Sequence, residues 1–62
     1  MDNNQKAAIY DECIRESDKL QRENSKIMSE NPISIPPHLQ KIIDSNNRRI
    51  SELVRKLESL FR

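Results

Sequence analysis

Sixty-two residues hold one domain at most, and a chain this short buries only about 60% of the surface its unfolded form exposes. One cysteine excludes an internal disulfide, and one cysteine with one histidine cannot supply the four ligands of a structural zinc site. A net charge of +1 gives no strong field toward nucleic acid or membrane.

What remains for stability is regular helix packing and self-association. Glycine is absent, aromatic residues are 3% and charged residues 34%, which is the composition of a coiled coil more than of a mixed α/β domain. The single unpaired Cys13 fits a reducing compartment. No apolar run approaches the ~20 residues of a membrane span, and no charged start followed by an apolar stretch resembles a secretory signal. The expectation is a soluble, cytoplasmic protein.

The first predicted helix runs over about 3–30. Asp2 followed by Gln5 has capping-box spacing, with Asp in place of Ser or Thr. The segment Asn31-Pro32-Ile33-Ser34-Ile35-Pro36-Pro37 then breaks the pattern. Its prolines lack backbone donors and disfavour helix at the residues before them. Asn31 is therefore expected extended, and Ser34 is a candidate cap. Proline suits a first helical turn, so the second helix is placed over about 37–61, after a turn at 31–36.

Both halves carry heptads. In the second, Ile43, Ile50 and Leu57 take a positions, with Leu39, Asn46, Leu53 and Leu60 at d. In the first, Tyr10, Ser17 and Asn24 take a, with Cys13, Leu20 and Ile27 at d. This 3–4 spacing marks a helix-packing seam. Folding the chain about Ile35 sets Ile27 opposite Ile43, Leu20 opposite Ile50, Ser17 opposite Leu53, Cys13 opposite Leu57 and Tyr10 opposite Leu60. The two seam asparagines, Asn24 and Asn46, also meet. A buried amide is costly alone, and a facing pair fixes register at some cost in stability. The expected fold is all-α: an antiparallel helical hairpin that dimerises into a four-helix bundle.

The two flanks of the seam differ. On the g side Glu16 is expected near Lys56 and Glu23 near Arg49, solvated pairs worth about 0–1 kcal/mol each. On the e side Ala7 comes near Phe61 and Ile14 near Val54, with Met28 toward the turn. That apolar edge, which two helices cannot cover, is the expected oligomer or partner face. A second hairpin is the simplest cover; another protein, or a monomer with a frayed edge, are the other readings.

Helix two carries Lys41, Arg48, Arg55 and Arg62 at seven-residue spacing, widened by Arg49 and Lys56 into a basic band. Such a stripe can track phosphates. However, Asp11, Asp18, Asp44 and Glu58 precede Arg15, Arg22, Arg48 and Arg62 by four residues, which is ordinary support for an exposed helix. Nucleic acid is thus the second hypothesis, without interleaved aromatics to stack on bases.

Cys13, on the seam, is read as a small buried hydrophobe and His38 as a solvated residue of the first turn. Tyr10 is expected beside Leu60 with its hydroxyl in water. Ile33 and Ile35 are expected to fold back over Ile27 and Leu39; the alternative is an extended docking segment. A chain without glycine has no glycine-rich phosphate loop, and one histidine in a turn makes no Ser-His-Asp set. No catalytic residue, metal, cofactor or small-molecule substrate is expected.

The shape resembles that of short bacterial helical-hairpin regulators. Sporulation phosphatases acting on a response-regulator aspartyl phosphate carry Ser-Gln-x-x-Asp in their second helix. Here the nearest stretch is Ser51-Glu52-Leu53-Val54-Arg55, without that glutamine or aspartate, so no residue role carries over. The shape is also similar to dimeric plasmid-copy regulators, in architecture only. The functional expectation is a non-enzymatic interaction and oligomerisation module, a small regulatory or adaptor protein. Because the heptads still run at Leu60-Phe61-Arg62, an assembly segment of a longer chain is an equal reading.

Overall fold

In a computed structural model, which describes residues 2–62, the chain is an all-α antiparallel hairpin. Helix α1 spans Asn3–Glu30 and helix α2 spans Pro37–Leu60. The rod measures 47 × 14 × 13 Å.

Local chemistry sets each helix end. The Asp2 carboxylate accepts from the Gln5 backbone N–H at 2.8 Å, and the Gln5 side chain accepts from the Asp2 N–H at 3.2 Å. This reciprocal box satisfies two of the donors that every helix start leaves free. At the other end of α1 the Asn31 side chain donates to the Ile27 carbonyl at 2.8 Å, while its backbone N–H reaches Met28 O at 3.3 Å. Asn31 closes the helix at φ −131°, ψ 62°, without entering the left-handed region. Helix α2 starts differently from expectation. Pro36, and not Ser34, is the N-cap, with no side-chain cap hydrogen bond. Pro37 fills the first helical position, where a missing N–H costs nothing.

The seam joins the helices, but its burial is uneven. Cys13, Ile43, Leu53 and Leu60 are buried, Cys13 and Leu53 to 2% exposure. Leu20, Ile27, Leu39, Ile50 and Leu57, expected in the same core, are only partly covered. A seam residue between two helices has a neighbour on one side and water on the other, so few can be enclosed. Ile9, on the g flank, is also half-buried.

The turn differs from expectation too. Ile35 is partly covered, but Ile33 is 98% exposed. Only one of the two isoleucines turns inward. At the open end, Tyr10 packs edge-on against Phe61, with ring centroids 6.1 Å apart at 75°. Tyr10 thus takes Phe61, an e-position residue, as a partner, in the T-shaped arrangement aromatic quadrupoles favour.

Candidate functional site

The centre of the seam is polar. Asn46 Nδ2 donates to Asn24 Oδ1 at 2.9 Å and to Glu23 Oε1 at 3.1 Å. Asn24 Nδ2 donates in turn to Asn47 Oδ1 at 3.0 Å. A carboxylate only accepts, so Glu23 forces Asn46 to present its NH2. Asn46 then forces Asn24 to present oxygen, and Asn24 forces Asn47 to do the same. The orientation of three amides follows from one carboxylate. Asn24 and Asn46 are 7% and 8% exposed, and among the described residues no buried side-chain N or O lacks a partner. Glu23 and Asn47 complete the network; both lie one position outside the a and d seats, where a seam pattern does not look.

The g flank is charged, and Arg49 pairs there with a different carboxylate from the expected one. Arg49 forks onto Glu16: its Nε meets one carboxylate oxygen, and its Nη2 meets the other at 3.1 Å. Its Nη1 reaches Glu52 at 3.1 Å. Lys56 is near Glu16 as expected, close enough for its charge to act on that carboxylate, but Arg49, expected near Glu23, pairs elsewhere. The long guanidinium reaches a turn further along α1, where a bidentate carboxylate is available, and Glu23 is already engaged by Asn46. The hydrogen bonds from Arg49 hold the Glu16 carboxyl below its ordinary value near 4.5. The two carboxylates push Arg49 upward in turn, Glu16 most.

Among the described residues, the e positions of the opposite flank carry no charged side chain. Ala7, Ile14, Met28, Val54 and Phe61, the expected partner face, are all exposed, Phe61 to 70%. With Tyr10, all but Met28 are concentrated toward the open end, and Gln21 and Asn47 separate them from Met28 near the turn. Beside Phe61 an open depression of about 390 Å³ is lined by Asn3, Lys6, Ala7, Tyr10 and Phe61. The g flank adds one exposed apolar residue missed by the heptad reading, Ile42.

Of the basic band, Lys41, Arg48, Arg55, Lys56 and Arg62 are exposed, and among the described residues no ion pair engages them. Arg49 is committed to carboxylates and leaves the band. Of the four acid-before-base spacings, Asp18 and Arg22 close at 2.9 Å. Asp44 accepts instead from Gln40 Nε2 at 2.9 Å. Cys13 is a free, buried thiol, and His38 is exposed at the start of α2. Among the described residues no three His, Cys, Asp or Glu side chains converge as a metal-binding group, and no helix is long and apolar enough to cross a membrane.

Comparison with protein-family models, with curated proteins and with solved structures found no match to this chain.

Proposed function

We propose that this hairpin is a non-enzymatic interaction and oligomerisation module, a small regulatory or adaptor protein that works through its apolar e edge. The observation that carries the reading is the asymmetry of the two flanks. One carries the Arg49–Glu16–Glu52 ion-pair cluster. The other leaves Ile14, Met28, Val54 and Phe61 in water. An apolar row on a chain with so small a core favours burial against another protein.

The test is mass in solution. Wild-type protein should sediment above 7.3 kDa, alone or with its partner, and Ile14→Glu with Val54→Glu should return it to the monomer. An unchanged complex in that variant would remove the e edge as the contact.

A second reading rests on the exposed cations Lys41, Arg48, Arg55, Lys56 and Arg62, which support a nucleic-acid-associated regulator. Phosphate contacts release counterions, so such binding falls steeply with salt. Burial of the e edge does not.

A further inference from the structure

We infer that the cover of the e edge is a second copy of this chain, laid on it with the two turns at the same end and the two-fold axis along the rod. This rests on the proposed interaction role of that edge.

Area gives the first argument. The hairpin exposes 5009 Å², against the roughly 4200 Å² that size scaling gives a compact monomer of 7.3 kDa. The excess belongs to an elongated rod of 47 × 14 × 13 Å, and pairing two such rods side by side, at roughly 800 Å² per partner for a standard interface, would bring the assembly back to a compact surface.

Layering gives the second. Along the edge the chain presents four levels: Ala7 with Phe61, Ile14 with Val54, Gln21 with Asn47, and Met28 with Gln40. A two-fold axis along the rod places each level on itself. It sets α1 of one copy beside α2 of the other, antiparallel, which gives an up-down-up-down bundle. Ile14 then meets Val54 of the second copy, and Ala7 meets its Phe61. A perpendicular axis instead lays the Ile14–Val54 level on the Gln21–Asn47 level. Amides would be buried against aliphatic side chains, twice by symmetry, and a buried amide without a partner is costly.

Hydrogen bonding gives the third. Asn47 Oδ1 is taken by Asn24, so its NH2 is left to donate. Gln21 donates through Nε2 to Ser17 Oγ at 3.3 Å, so its oxygen is left. Among the described residues neither remaining atom has a partner. In the level-on-level arrangement, the free donor of Asn47 faces the free acceptor of Gln21 from the other copy. The network that starts at Glu23 then continues across the interface.

Light scattering combined with isotope-filtered NOE spectroscopy, on an equal mixture of labelled and unlabelled wild-type chains, tests this. The expected result is twice the monomer mass, with intermolecular contacts from Ile14 methyls to Val54 and from Ala7 to Phe61. A dimer showing Met28 to Ala7 and Ile14 to Gln21 contacts would overturn the arrangement and leave the e edge as the interface. A dimer with no intermolecular contact from e-edge residues, or a monomer at the concentration of the spectra, would overturn the second copy as the occupant. Ile14→Glu with Val54→Glu separates the cases further. If those substitutions also leave the binding of any other protein intact, the interaction role of the edge falls with it.

Discussion

Asn46 and Asn24 face each other across a mainly apolar seam, and the amide of Asn46 is shared between Asn24 and the carboxylate of Glu23. Replacing one member alone strands the others. Asn46→Leu should cost about 1–3 kcal/mol by leaving Asn24 Oδ1 without its donor. The double change Asn24→Leu with Asn46→Leu should recover much of that loss, because apolar packing replaces the whole buried pair. It should also loosen the register. Urea denaturation reads the energies, and broadened or doubled amide NMR signals read the register. A single substitution as stable as wild type would mean that the seam amides are not coupled.

Core truncation should be graded by burial. Leu53→Ala removes a side chain that is 2% exposed, and should cost about 2–5 kcal/mol. Ile50→Ala removes one that is partly in water, and should fall at or below the lower end of that range. Chemical denaturation of both variants gives the order; equal losses would contradict the uneven seam.

The g-flank pair gives stability a pH dependence of known sign. Hydrogen bonds from Arg49 lower the folded-state pKa of Glu16 below 4.5. The unfolded chain therefore takes up the Glu16 proton first as pH falls. The contribution is fully present above the unfolded pKa, and is lost as pH drops through the folded one. Melting temperature should decline below about pH 4.5 in the wild type. In Glu16→Gln that part of the decline should be absent. The pair is exposed, so the effect is small and shrinks with salt.

Salt distinguishes the two functional readings. Raising salt should leave self-association nearly unchanged. A nucleic-acid complex made by Arg48 and Arg55 should weaken steeply, with a shallower slope after Arg48→Ala with Arg55→Ala. A filter-binding titration at two salt concentrations, beside light scattering on the free protein, separates them.

The capping box is a local device and should act locally. Asp2→Ala removes the acceptor of the Gln5 N–H, and should cost about 1 kcal/mol. Hydrogen exchange should quicken in the first turn of α1 and leave α2 unaffected.

The sequence by itself determined the elements and the seam. Proline chemistry placed the reversal at 31–36, Asp2 and Gln5 placed the start of α1, and the 3–4 spacing chose the faces and set Asn24 opposite Asn46. These are short-range constraints: steric bans, local hydrogen bonds, and a helical period that carries a pattern along the chain. Tertiary structure alone decided which Arg49 carboxylate wins, that Glu23 and Asn47 extend the amide chain, that Ile33 stays in water while Ile35 does not, and that only part of the seam is enclosed. Those outcomes depend on the reach of long side chains and on competition between acceptors a turn apart. Two helices leave space enough for several answers, and only the packed arrangement selects one.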